Sequence, residues 1–259
     1  MDSDLMPAAF LGHGDPMNAL ADNRYTRAWR EFGASVPIPR AIVVVSAHWY
    51  VGSTLLTAMA APKTIHDFYG FPRALFDVEY PAPGSPEIAA EIAEALKPRW
   101  VGLDEDAWGF DHGTWSVLVH AFPRADVPVI QLSVNGFEGW DEHFDLGVRM
   151  AQLRARGILV IGSGNVVHNL GLLDRAAGEV GPDWAIRFNE ECAHSMIEDP
   201  QRTGRLVDHP DYGRAVPTPD HFLPLAPIAG LAAASGTPAS VLVDGYLGGA
   251  LSMLAFRVG

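Results

Sequence analysis

A single cysteine, Cys192, stands in 259 residues. An intrachain disulfide needs two cysteines, and cysteine-rich zinc sites and iron–sulfur clusters need more, so all three are excluded. Positive charge is scarce too: 18 Lys and Arg face 31 Asp and Glu, a formal net charge of -13. Binding a nucleic acid depends on neutralising its phosphates, so the balance argues against a nucleic-acid partner and against an anionic membrane surface. No uninterrupted apolar run reaches the roughly 18 residues of a membrane-spanning helix. The opening Met1-Asp2-Ser3-Asp4 is acidic and lacks the basic region and apolar stretch of a signal peptide, so a cytoplasmic location is expected. Repeats and low-complexity tracts are absent, as are the phosphate-cradling GxxxxGK[ST], HExxH and G-x-S-x-G patterns. Gly162-Ser163-Gly164 begins like a dinucleotide fingerprint, but Val167 stands where its third glycine belongs.

What is present points to a layered α/β chain. The composition is 48% hydrophobic and 19% charged, enough apolar material for a sizeable core. Short runs rich in Val, Ile and Leu occur at 8–11, 41–45, 127–134, 157–161 and 239–243, mostly bounded by Gly, Pro, Ser or Asp. That pattern suits strands buried on both faces. Ser85-Pro86-Glu87 reads as a helix start continuing to residue 96, because Ser can cap, Pro fits the first turn and Glu favours the positive helix end. Residues 144–156 and 183–197 read as two further amphipathic helices. Strands alternating with helices imply one domain over 1–259, with three layers and a mostly parallel or mixed central sheet. The Pro-rich, polar stretch 199–227 reads as a long surface excursion.

Histidines number ten, and their placement carries the functional reading. In open α/β sheets ligands bind beyond the carboxyl ends of the strands. His13 in Gly12-His13-Gly14-Asp15-Pro16, His48 in Ser46-Ala47-His48-Trp49, and His168 in Gly162-Ser163-Gly164-Asn165-Val166-Val167-His168 each follow a strand-like run. A lone loop histidine is ordinarily structural; three that close strands suggest chemistry. His112 and His221 sit in loop-like segments, each directly after an aspartate that could orient it, Asp111 and Asp220. His66 adjoins an aromatic loop. His120 is expected on a helix surface, and His143, His194 and His209 in solvated helices or loops. Cys192 lies in a helix-like setting that favours a structural role.

Taken in order, Gly12-His13-Gly14-Asp15-Pro16, Ser46-Ala47-His48-Trp49, Asp67-Phe68-Tyr69-Gly70-Phe71-Pro72, Asp111-His112-Gly113-Thr114-Trp115, Gly162-Ser163-Gly164-Asn165-Val166-Val167-His168-Asn169 and Pro217-Thr218-Pro219-Asp220-His221 resemble one family. It is the LigB-like class III extradiol ring-cleaving dioxygenases, in their DOPA 4,5-dioxygenase-like branch, and the resemblance spans almost the whole chain. It implies a metal held by His13, His48 and His221, with His168 as an acid/base or, when zinc is bound, a fourth ligand. It also implies that His112 contacts substrate or shuttles protons. The expected metal is one Fe(II), and Zn(II) is a candidate for the ion found after purification because it binds more tightly. The substrates implied are a small catechol and O2, with Trp49, Phe68, Tyr69, Phe71 and Asp220 as candidate substrate-binding residues. Two departures stand out. The wider superfamily places a glutamate where His221 falls, and Ser116-Val117 follows Trp115 where a proline is common.

The chemistry explains the residue types. Dioxygen is a triplet and reacts with a singlet catechol only through a partner such as Fe(II), which needs open positions and few protein ligands. A catechol must also lose protons, and imidazole titrates near working pH. Two rival readings remain open at this point: a zinc-dependent hydrolase on the same histidines, and a non-enzymatic protein acting through partners. Oxygen-dependent activity separates the first from ring cleavage, and the presence of both His112 and His168 weighs against the second.

Overall fold

Continuous apolar stretches along the strand-like runs build a sheet that is covered on both sides. The computed structural model describes residues 5–259; the acidic opening Met1-Asp2-Ser3-Asp4 lies outside the described residues. In chain order the first half holds β1 (Ala8–Gly12), α1 (Arg24–Ser35), β2 (Ala41–Val51), β3 (Leu55–Thr57), α2 (Arg73–Phe76), α3 (Pro86–Ala95), β4 (Gly102–Asp104) and α4 (His112–Ala121). The second half holds β5 (Val129–Asn135), α5 (Trp140–Arg154), β6 (Ile158–Gly164), α6 (Asp183–Glu198), α7 (Tyr212–Ala215) and α8 (Leu225–Ser235). β7 (Ala239–Val243), β8 (Tyr246–Leu247), β9 (Leu251–Ser252) and β10 (Ala255–Val258) follow. Eight strands form one sheet in the order β4-β3-β5-β2-β6-β1-β10-β7. The central four, β5-β2-β6-β1, run parallel, while β3 opposes β5 and β10 opposes both β1 and β7. The sheet is therefore mixed, as the sequence suggested.

Successive side chains on these strands enter different cores. Val43, Val45, Ile130, Leu132, Ile158 and Val160 pack with Leu146 and Met150 of α5, Phe188 of α6 and Ile228 of α8. Ile42, Val44, Val129, Leu159 and Ile161 face the other way, toward Trp29 and Phe32 of α1 and Trp115 and Leu118 of α4. Each such aliphatic side chain contributes roughly 1.5–3 kcal/mol on burial, so the central strands make a stiff platform. The helices begin where local chemistry starts them. Ser85 accepts from the Ile88 N–H with Pro86 in the first turn, and the Asn23 side chain caps α1. No helix among the described residues is long and apolar enough to cross a membrane.

Several expectations need correction. Stretch 199–227 is not a surface excursion: it winds through short helical turns into α8 and buries Leu206, Ala215, Phe222, Leu223, Leu225 and Ala226. Val207 stays exposed, but most of the stretch's apolar residues fall on the inner side of successive turns. The run at 239–243 forms an edge strand with Val241 exposed, not one covered on both faces. His48 lies inside β2 rather than after it, because the strand continues to Val51 past a break in register between Val45 and Tyr50. His112 opens α4 instead of standing in a loop. His143 is 1% exposed, held between the α5 start and β5, and His120 is half-buried against Trp29. His194 is exposed and Cys192 is buried in α6.

Candidate metal centre and active site

Five histidines converge at the carboxyl ends of β1, β2 and β6, three neighbours in the sheet. His13 comes immediately after β1; its N–H donates to the Gly164 carbonyl at 3.1 Å, and its own carbonyl accepts from the Asn18 side chain at 3.0 Å. His168 follows β6 and donates its N–H to the Ala215 carbonyl at 2.9 Å. His221 closes a short 3-10 turn, Pro219–His221, and its carbonyl accepts from the Asn165 N–H at 2.8 Å. Gly164 permits that approach, since a Cβ there would stand 2.2 Å from the His221 carbonyl oxygen. Gly113, behind His112, permits another: its Cβ would meet Ser46 Oγ at 2.7 Å and His48 Cδ2 at 2.9 Å.

The rings are crowded. Centroids of His48 and His112 lie 3.7 Å apart, those of His13 and His48 5.1 Å, and those of His13 and His221 5.3 Å. His168 stacks on His221 at 3.5 Å, with 3° between the planes. His13, His48 and His112 each offer a ligand atom, and these atoms lie within 4.8 Å of one another.

Hydrogen-bond partners decide which nitrogen of each ring is free. Ser163 Oγ donates to the Gly113 carbonyl, so at 3.0 Å from His13 it must accept, and His13 Nδ1 carries the proton. His221 Nδ1 pairs with Asp220 Oδ2. His48 Nδ1 lies 3.1 Å from Asp67 Oδ2, and His112 Nδ1 lies 3.0 Å from Asp67 Oδ1. Neither contact is in line for a hydrogen bond, so both act through charge; Oδ1 accepts instead from the His112 backbone N–H at 2.9 Å. A bare nitrogen lone pair against a carboxylate would be repelled, so these Nδ1 atoms carry protons and leave Nε2 unprotonated in the neutral ring. The Nε2 atoms of His13 and His48 then face each other at 3.2 Å. Something positive, a proton or a metal ion, has to stand between two such lone pairs. Two imidazoles bound side by side to one ion at ~2.1 Å would be separated by about that much. Oxygen partners on the far nitrogens are also the usual support of metal-binding histidines. The donor set therefore fits a metal.

Electrostatics agree. Burial, reinforced by the neighbouring imidazoles, holds the pKa of His13 well below its ordinary value. Burial lowers His221 to about 4 and His168 to about 3, and it lowers His112 as well. His48 alone moves upward: burial opposes its charge, but Asp67, Asp111 and Asp220 outweigh that. Burial likewise opposes the charge of Asp67, yet the His112 and His48 rings hold its carboxyl far below the usual range. Asp111 is fully buried, and burial pushes its carboxyl up. It accepts from Ser46 at 2.6 Å, from the Trp108 indole at 3.3 Å, from Gln131, and from the Thr114 N–H that begins α4.

The aromatic candidates divide. Phe68 is buried beside His112, with centroids 5.5 Å apart, and touches Phe71, Phe76 and Trp115. Trp49 stacks instead on Trp108 at 5.8 Å, and Tyr69 is 94% exposed. Asp220 is engaged by His221. Sequence reasoning did not single out Asp67, Ser163 or Gln131. Asp67 and Ser163 stood inside quoted motifs, but a polar residue remote from the histidine it serves leaves no spacing signal.

Comparison with known proteins places this geometry. Residues 10–246 match the family described as the catalytic LigB subunit of aromatic ring-opening dioxygenase. The chain is 47% identical to a 4,5-DOPA dioxygenase extradiol of Escherichia coli (strain K12), over 100% of this chain and 97% of that protein. It is 33% identical to a 4,5-DOPA dioxygenase extradiol of Beta vulgaris, over 99% and 97% of the two. The crystal structure of an uncharacterized protein from Escherichia coli K12 matches it with a TM-score of 0.84 and 41% identity, covering 98% of this chain and 100% of that one.

Proposed function

This chain belongs to the LigB family of aromatic ring-opening dioxygenases, and on that premise we propose that it opens a catechol of the DOPA type with O2, using one Fe(II) held by histidines. It is an oxidoreductase, an extradiol aromatic ring-opening dioxygenase. The observation that carries the finer reading is the pair of Nε2 atoms of His13 and His48, 3.2 Å apart, each ring with an oxygen behind its Nδ1. His13 and His48 would hold the metal, with His221 as the third ligand; His112 lies close enough to compete for that place. Fe(II), when bound, supplies the one-electron chemistry that lets triplet oxygen react with a singlet catechol, and a charge that favours the catecholate.

The chain's own groups do the rest. His168, with its pKa depressed to about 3, is neutral at ordinary pH and so has a nitrogen free to accept a catechol proton. Negative charge arriving on the substrate oxygens offsets the burial that depresses it, so its basicity rises as the proton moves. The same ring, once charged, is the acid for a later step. His112 is the second candidate for this role, and Phe68 beside it offers an apolar face to the aromatic ring.

The test is oxygen uptake by metal-stripped protein, reconstituted anaerobically with Fe(II) or Zn(II) and supplied with a panel of catechols that includes DOPA. Uptake with Fe(II) alone and a coloured ring-opened product is expected. No uptake on any catechol by protein retaining stoichiometric Fe(II) would overturn the reading.

A further inference from the structure

Asp67 stands against two of the five histidine rings at once. One oxygen, Oδ2, stands 3.1 Å from His48 Nδ1; the other, Oδ1, accepts the His112 backbone N–H at 2.9 Å and lies 3.0 Å from His112 Nδ1. Its side chain is 19% exposed, so water does little to replace these contacts. The helix start itself is capped independently by Asp111, which accepts the Thr114 N–H.

We propose that Asp67 is the positioning residue of this centre, fixing the proton of His48 on Nδ1 so that its Nε2 lone pair is available to the metal, while tying that ring to the first turn of α4 that carries His112. The inference rests on reading the histidine cluster as a metal centre.

The amide of asparagine makes the claim specific. It has the shape of the carboxylate but offers one acceptor and one donor. Its oxygen must stay on the His112 backbone N–H, which cannot change tautomer. The NH2 group then faces His48 and demands an acceptor from Nδ1. That forces the His48 proton onto Nε2, where it occupies the lone pair the metal needs. Alanine, in contrast, removes the bias without reversing it. A residue that merely anchored the α4 start would give the opposite order, since Asn takes an end-of-helix N–H about as well as Asp while Ala does not.

Asp67→Asn and Asp67→Ala test this in the full-length protein. Zn(II) affinity is measured by competition with a chromophoric chelator, and histidine tautomers by long-range 1H–15N spectra of the metal-free protein at alkaline pH. Zn(II) is expected to bind about 10- to 100-fold more weakly to Asp67→Asn than to the unaltered protein. The loss should exceed that in Asp67→Ala, and His48 should change from its Nδ1–H to its Nε2–H form. An Asp67→Asn protein that binds Zn(II) as tightly as the unaltered one, or keeps His48 protonated on Nδ1, overturns the proposal. Neither readout involves turnover, so failure of the ring-cleavage reading shows separately, as Fe(II)-loaded unaltered protein that consumes no O2.

Discussion

His143 and His13 are equally buried, each 1% exposed, yet they belong to two different kinds of site. His143 Nδ1 donates to the Gly139 carbonyl at 2.7 Å, and its Nε2 accepts the Asn135 N–H at 3.2 Å. Both nitrogens are answered by backbone, and the ring joins β5 to α5. His13 has Ser163 behind Nδ1, but its Nε2 meets another nitrogen at 3.2 Å. Burial alone thus does not make a metal ligand. A nitrogen that the protein positions without giving it a proton donor of its own does.

Substitution should separate the two most sharply. His13→Ala is expected to abolish stoichiometric metal binding and lower turnover by three orders of magnitude or so, with the fold kept. His143→Ala should leave metal content intact and cost about 2–3 kcal/mol in denaturant unfolding, because it removes the acceptor of the Asn135 N–H and leaves a cavity. Metal analysis beside urea titration checks both, and a metal-free His143→Ala protein would erase the distinction.

Gly113→Ala attacks the open site through sterics. The new methyl would stand 2.9 Å from His48 Cδ2, so ring or helix must shift. Metal affinity should fall about tenfold, with about 1–3 kcal/mol of stability lost.

Acid acts on both kinds of site in the metal-free protein, because burial lowers His143 as well as His221. His221 has a folded pKa of about 4 against an ordinary 6.5. Between those values the unfolded chain binds a proton that the folded chain refuses. Stability should therefore be complete above about pH 6.5 and be lost progressively as pH falls toward 4, by up to ~3 kcal/mol from this ring. Urea midpoints across that range, in unaltered protein and His221→Asn, report the difference.

Ser163→Ala is the gentlest intervention. It removes the acceptor behind His13 Nδ1, and a severalfold to tenfold loss of metal affinity with about 1–3 kcal/mol of stability lost is expected from chelator competition and urea titration.

Much of this was legible in the sequence because strand ends concentrate function. His13 and His168 could be placed by the apolar runs that precede them, and the mixed, layered sheet followed from the same runs. His48 was assigned correctly to the sheet end but not to the strand, since the break in register after Val45 has no periodic signature. His112 opens a helix because Asp111 caps it, yet the helix is buried nearly all round, polar residues included, and shows no amphipathic stripe to reveal it. His143 could not be told from a surface histidine, as both its partners are backbone groups brought in by tertiary packing. Asp67 was invisible as a site residue for a related reason: its partners lie 19 and 45 residues away, and only the fold joins them.

The most direct measurement is an anaerobic Fe(II) titration of metal-stripped unaltered, His13→Ala and His143→Ala proteins, reading bound iron per chain. The account predicts one Fe(II) in the unaltered protein and in His143→Ala, and none in His13→Ala. One Fe(II) bound equally well in His13→Ala would contradict it.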